Sequence, residues 1–402
     1  MTAGHVRFAR EARPGGFAVP RRWTTVEPSR GWGAPVNTVE TRIITDGEAD
    51  LPPGERVHVL EIISGEGAGR WVVVGQAGVS IGRIAPADII LADAEVSRAH
   101  CRVEIAPDGV ILTDLCSTNG TFVNGVAVKG AQRLDTGAVL RVGRHHLRYA
   151  WRTRQELRES EQLDRDLDRA YAYIEALLPP PMSEGPIRAE WMYQPSARLG
   201  GDAFGYGPLS ETLFAFYLVD VSGHGAGAAM HSVAVMNLLR QHALPGIDMA
   251  RPSEVLSALN DMFQMEAHGG LYFTMWYGVL DRLTRRLTFG SAGHHPAFLL
   301  TRADDPTPLR TRNGLIGAIR GKAYAEDSVI VPADSSLYLF SDGVFEIVTK
   351  QGLQWGLQDF LALVPALGEG ATECRRLYEQ VVDIARPGGL DDDFTLMILR
   401  FD

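Results

Sequence analysis

The chain has 402 residues, 45% of them hydrophobic, enough for two or three domains that each build a core. Its formal charge is −10, and nearly all of it lies late: about +3 over 1–46, −2 over 47–150 and −11 over 151–402. An acidic second half argues against a nucleic-acid partner, no apolar run is long enough to span a bilayer, and three cysteines (Cys101, Cys116, Cys374) supply neither a disulfide framework nor a zinc set. The N-terminus lacks a signal-peptide core, so the expected location is the cytoplasm.

Residues 1–50 are rich in Arg, Pro, Gly and Thr without sustained period, and read as a disordered tail. Residues 55–150 read as short strands: Val57 to Ile62, Trp71 to Val74, Cys101 to Ile105 and Val110 to Leu112, punctuated by Asp108-Gly109 and Asn124-Gly125. Closely spaced strands with such turns predict an all-β sandwich.

Over 151–180 the pattern changes. Leu163, Leu167, Ala170, Ile174 and Leu177 recur at spacings of four, three, four and three among Arg, Glu and Asp. That is a heptad-like stripe on a charged linker helix, stopped by Pro179-Pro180-Pro181. It suits a short coiled coil and homodimer, or one helix packed on its neighbour.

Residues 185–402 alternate strands and helices, predicting an α+β domain. Leu213 to Val219, Tyr272 to Leu280, Arg286 to Gly290, Ser336 to Phe340 and Thr395 to Leu399 read as strands; Gly227 to His242 and the segment opened by Pro252 read as helices.

Two constellations carry chemistry. In the β-rich part, Ser80-Ile81-Gly82-Arg83, Val96-Ser97-Arg98-Ala99-His100 and Ser117-Thr118-Asn119-Gly120-Thr121 to Asn124-Gly125 offer guanidinium, hydroxyl and amide groups suited to gripping a phosphate. In the C-terminal part, four aspartates stand beside strand-like runs or glycines: Asp202 after Gly200-Gly201, Asp220 before Val221-Ser222-Gly223-His224-Gly225, Asp342 in Ser341-Asp342-Gly343, and Asp392 in Asp391-Asp392-Asp393-Phe394-Thr395. Singly each reads as a turn or a helix cap. Together, without a His/Cys set, they favour Mg²⁺ or Mn²⁺ over zinc.

The first constellation resembles the forkhead-associated (FHA) domain over about 57–149. The resemblance implies an eleven-stranded sandwich binding phosphothreonine, with Arg83 and Ser97 on the phosphate, Arg98 and Thr118 assisting, and Asn119 and Asn124 on the peptide backbone. His100 is expected to brace its loop. The second resembles the SpoIIE-like branch of the type 2C metal-dependent phosphatases over about 170–402, through Arg198 to Phe204, Val219 to Gly225, Ser291-Ala292-Gly293-His294-His295-Pro296, Gly314 to Gly317, Phe340 to Glu346 and Asp392 to Thr395. It implies a pair of sheets flanked by helices, and two ions (Mn²⁺ or Mg²⁺) that activate the water attacking a phosphoserine or phosphothreonine. Asp220 would bridge the ions, Asp202, Asp342 and Asp392 would add carboxylates, and the Val221 carbonyl would also coordinate; Asp393 is the alternative to Asp392, because three consecutive aspartates leave the register open. His224 and His294 are expected to brace loops, and Arg198 is a lesser expectation for contact with substrate phosphate.

The expected function is therefore a protein serine/threonine phosphatase acting on a phosphorylated regulatory protein, by resemblance an anti-sigma-factor antagonist. Its FHA module would recruit a phosphothreonine-bearing protein or kinase, and the linker helix would set dimerisation or relay activation. The alternative is a phosphothreonine-binding adaptor whose phosphatase-like half is a docking domain.

Overall fold

The computed structural model describes residues 56–64, 68–301, 305–364, 373–386 and 389–402; the expected tail lies outside them. Eleven short strands come first: β1 (Arg56–Ser64), β2 (Trp71–Val74), β3 (Val79–Gly82), β4 (Ile89–Ile90), β5 (Cys101–Ala106), β6 (Gly109–Asp114), β7 (Thr121–Val123), β8 (Val126–Ala127), β9 (Ala131–Leu134), β10 (Val139–Val142) and β11 (His145–Thr153). They form two sheets, ordered β2-β1-β11-β10-β7-β8 and β4-β3-β5-β6-β9. Alternation sets the inward faces: Cys101 and Val103 on β5, Leu140 and Val142 on β10, and Leu147 and Tyr149 on β11 are buried. They share one core with Leu60, Ile62, Ile81 and Leu112. Asn124 and Gly125 both take positive φ (49° and 82°) between Val123 and its ladder partner Val126, the backbone that a two-residue hairpin turn demands.

Helix α1 (Arg154–Leu177) follows without a break. Thr153 caps it reciprocally: its hydroxyl accepts the Glu156 N–H at 3.2 Å, and the Glu156 carboxylate accepts the Thr153 N–H at 2.8 Å. Near its start, Leu157 packs on Val59 and Ala150 of the sandwich. Farther along, Leu167, Ala170, Tyr171 and Ile174 pack against Leu199, Ala229 and Val233 of the C-terminal part. The predicted stripe is thus largely spent within this chain, whereas Leu163 is 60% exposed.

The C-terminal part comprises β12 (Ile187–Gln194), β13 (Asp202–Pro208), β14 (Leu213–Val221), α2 (Ala226–Arg240), α3 (Pro252–Met262), β15 (Phe273–Asp281), β16 (Arg286–Ala292), β17 (Ala297–Leu300), β18 (Thr307–Leu309), β19 (Asp327–Ile330), β20 (Ser335–Phe340), β21 (Ile347–Val348), β22 (Gln354–Trp355), α4 (Leu357–Leu363), α5 (Glu373–Ile384) and β23 (Phe394–Phe401). Two five-stranded sheets, β12-β23-β20-β17-β18 and β13-β14-β15-β16-β19, share a core of Phe204, Phe216, Leu218 and Trp276 with Leu337, Leu339, Met397 and Leu399. On the outer face of the second sheet, Val255, Leu256 and Met236 of α2 and α3 join that core. On the outer face of the first, Phe360 and Leu377 of α4 and α5 pack on Tyr338, Phe340, Leu396 and Ile398. Burial on both faces explains why β14 and β23 read as continuous apolar runs rather than as alternating ones.

Candidate active site and phosphopeptide site

The antiparallel register of β13 and β14 sets Asp202 directly opposite Asp220, so their side chains leave the same face of the sheet. Asp342 opens a 3-10 turn just past β20, and Asp391-Asp392-Asp393 lead into β23, the strand beside β20. The two sheets therefore deliver their acids at one end of the sandwich. A bond joins them there: the Thr395 hydroxyl of β23 donates to Asp202 Oδ2 at 2.6 Å. Ser341, also buried, accepts the Thr395 N–H at 3.0 Å and donates to the Asp393 carbonyl at 2.9 Å.

Asp392 and Asp393 play opposite parts. Asp393 is 3% exposed, and its carboxylate accepts the Ser196 N–H (2.7 Å) and hydroxyl (2.9 Å) and the Gly201 N–H (2.6 Å). A Cβ on Gly200 would lie 2.6 Å from that carboxylate, and one on Gly343 would meet the Asp393 carbonyl, so glycine is required at both. A Cβ on Gly201 would likewise stand 2.7 Å from the Val221 carbonyl. Asp392 is exposed and presents its charge toward Asp220, Asp342 and His224.

The electrostatics follow. Burial, then the charges of Asp220 and Asp393, hold the Asp202 carboxyl well above the usual range. Burial, then Asp342, Asp392, Asp393 and Glu346, push Asp220 up to about 8. Burial, then Asp392 and Glu346, raise Asp342 to about 6, and burial also raises Asp392. Among the described residues no Lys or Arg pairs with any of these acids. Crowded carboxylates without a counter-charge and with oxygen donors alone are what hard divalent cations neutralise. Among the described residues no three acidic, His or Cys side chains already close around one point at ligating distance. The fit is therefore one of chemistry and charge, not of a finished cage.

Glu346, Ser196, Ser341 and Thr395 were not singled out in the sequence. Glu346, Ser341 and Thr395 sit inside the motifs, but only the pairing of β20 with β23 shows what the two hydroxyls do. His294 is buried, its Nδ1 lies 2.9 Å from the His295 carbonyl, and burial holds it well below its ordinary pKa. His224 is exposed beside Asp392. Arg198 is turned to α1, pairing with Asp168 and, at 3.5 Å, with Asp164.

In the sandwich the loop residues gather at one edge. The Arg83 N–H donates to the Ser97 carbonyl at 2.9 Å. The Ser97 hydroxyl accepts the Thr118 N–H (3.0 Å) and donates to the Thr118 hydroxyl (3.3 Å), and Asn119 Nδ2 donates to the Glu95 carbonyl at 2.8 Å. The side chains of Arg83 and Arg98 are exposed. His100 is wholly buried; Nδ1 accepts the Ser97 N–H (3.1 Å), which leaves Nε2–H for the Gly120 carbonyl (3.2 Å). It braces two of the loops as a neutral ring, in keeping with a pKa lowered by burial. Asn124 stands apart, its Oδ1 accepting at 2.9 Å the N–H of Val139 on the adjacent strand β10.

The family model of Stage II sporulation protein E (SpoIIE) matches residues 210–402, a stretch that begins after Asp202, and that of the FHA domain matches 79–143. Phosphoserine phosphatase RsbP of Bacillus subtilis (strain 168) is 25% identical over 183 residues, 45% of this chain and 45% of its own length. Glycogen accumulation regulator GarA of Mycobacterium tuberculosis (strain ATCC 25618 / H37Rv) is 34% identical over 107 residues, 27% of this chain and 64% of its own. This chain thus spans less than two thirds of either. The SiaA-PP2C domain of Pseudomonas aeruginosa shares the fold, with a TM-score of 0.52 at 17% identity over 61% of this chain and 99% of that one.

Proposed function

We propose, from the premise that this chain joins an FHA domain to a SpoIIE-type domain of the type 2C phosphatase fold, that it is a metal-dependent protein serine/threonine phosphatase acting on a phosphorylated regulatory protein. The substrate class we favour is an anti-sigma-factor antagonist. The observation that carries the reading is the convergence of Asp202, Asp220, Asp342 and Asp392 from two sheets, mutually repelling and without a cationic partner among the described residues.

Two Mn²⁺ or Mg²⁺ ions held there would supply a water ionised near neutral pH and would neutralise the oxygens of the transferred phosphoryl group. Asp220 would hold both ions, with Asp202, Asp342, Asp392 and the Val221 carbonyl as further ligands. We assign Asp393 to the fold instead, because its carboxylate is already spent on the 196–202 loop. The Thr395 hydroxyl fixes which oxygen of Asp202 faces the cluster.

The FHA module would hold a phosphothreonine on a partner or kinase through Arg83, Ser97, Arg98, Thr118 and Asn119. Joining the modules raises the local concentration of substrate without new contacts. Helix α1, packed on Leu199 beside the Asp202 loop, would relay occupancy of one module to the other.

The test is phosphate release from phosphoserine and phosphothreonine proteins with Mn²⁺ or Mg²⁺ against chelator, for wild type and Asp220→Ala. Release only by metal-loaded wild type is expected. Release that ignores metal and the substitution would sink the mechanism, and none at all would leave the adaptor.

A further inference from the structure

We infer that the segment 310–322, between β18 and β19, is a docking surface for the protein that bears the phosphate, and that the partner surface it accepts is acidic. This rests on the phosphatase reading above and narrows its substrate class.

Three observations carry it. The segment holds Arg310, Arg312, Arg320 and Lys322 and no acid, in a chain of net charge −10. The three arginines are exposed, and among the described residues none of the four cations forms an ion pair. Of the acids around it, Asp261 accepts the Gly321 N–H of the segment itself at 2.9 Å without pairing with a cation, and Glu326 accepts the Ser253 N–H at 2.9 Å and faces Arg251 at 3.9 Å.

Its position is the second observation. Phe273 is the ladder partner of Val221, the residue after Asp220, and on its other side it exchanges both backbone hydrogen bonds with Ile316 (2.9 and 3.3 Å). Ile316 is thus two strand spacings, about 10 Å, from Val221. Through Ile316 the loop is anchored at the start of β15, beside the Asp220 end of β14, the flank that a protein delivering a phosphorylated side chain would cover.

The third is that the loop is already ordered. Wholly buried Asn260 accepts the Gly317 N–H (2.9 Å) and donates to the Ile319 carbonyl (2.8 Å), while Asn313 holds both the N–H and the carbonyl of Ala325 at 2.9 Å. The Lys322 ammonium lies over Gly314, 2.8 Å from where a Cβ there would stand. Cations on a pre-ordered loop bind without paying to order it. Ile319, 59% exposed between them, adds an apolar contact.

The experiment compares two fluorescein-labelled phosphoserine peptides, one flanked by Asp and Glu and one by Lys. Binding is read by anisotropy in chelator at 50 mM salt, using the full chain with Arg83→Ala to silence the FHA site. The acid-flanked peptide is expected to bind about tenfold tighter. The preference should vanish in Arg312→Gln/Arg320→Gln/Lys322→Gln, and in 0.5 M salt without any substitution. Equal affinities, a preference that survives the substitutions, or equally tight binding of a labelled oligonucleotide would overturn the assignment. Mn²⁺-dependent hydrolysis of p-nitrophenyl phosphate, expected unchanged in the triple variant, reports separately: its absence from wild type strikes the phosphatase reading, and the anisotropy still decides the docking surface.

Discussion

The Asp393 carboxylate accepts the Gly201 N–H at 2.6 Å, tying the entry of β23 to the loop that presents Asp202. An acid in an acidic motif is here an internal strut, and its exposed neighbour Asp392 is left to face the cluster.

The two aspartates therefore separate in experiment. Asp393→Ala should cost about 3 kcal/mol of stability, since it orphans buried donors that bonded a charged acceptor. Asp392→Ala should leave the thermal midpoint within a degree or two while abolishing most metal-dependent turnover. Denaturation and phosphate release on the same preparations decide it; equal loss of stability in both would refute the division.

Thr395→Val removes one hydroxyl and keeps the shape. Its expected effect is a 10- to 100-fold weaker apparent affinity for Mn²⁺, roughly what an outer partner of a ligand is worth, with turnover recovering at saturating metal. A titration of activity against free Mn²⁺ reads this directly.

His295 gives a pH signature. Burial lowers its pKa from 6.5 to about 4, and its ring packs on Phe340 and Phe345. Between those values the unfolded chain binds a proton that the folded chain refuses. The contribution is complete above pH 6.5 and is lost as pH falls toward 4, by roughly 3 kcal/mol in all. Urea midpoints from pH 7.5 to 4.5 should fall more steeply in wild type than in His295→Leu; parallel curves would show that the ring does not titrate this way.

Arg83→Ala should weaken binding of a phosphothreonine peptide 10- to 100-fold, the worth of a charge-assisted bond, and leave hydrolysis of a small phosphoester untouched. Asn124→Ala should act instead on stability, because its Oδ1 holds the Val139 N–H. Calorimetric titration and a melt separate the two.

What sequence discloses and what it withholds can be seen residue by residue. Asn124-Gly125 announced its hairpin because few other residues tolerate positive φ at both positions. The run Leu213 to Val219 announced a strand covered on both faces. Asp392 and Asp393 were indistinguishable, since neighbours on an extended chain point to opposite sides and only the packing says which side is inward. The stripe on α1 was visible as a stripe, but spacing names no partner, and Leu199, Ala229 and Val233 come from distant segments. Thr395 bonds Asp202 across 193 residues, a separation that no local pattern encodes.

Strand β23 lies inside its sheet, between β12 and β20, though it follows both of them in the chain. On the ribosome the sandwich has all its strands by Thr153, whereas the C-terminal sheet must wait for β23, its first and middle strands held apart by a missing centre. On the proposed function, a nascent chain would thus gain the means to recognise a phosphorylated partner well before it gained any means to dephosphorylate one.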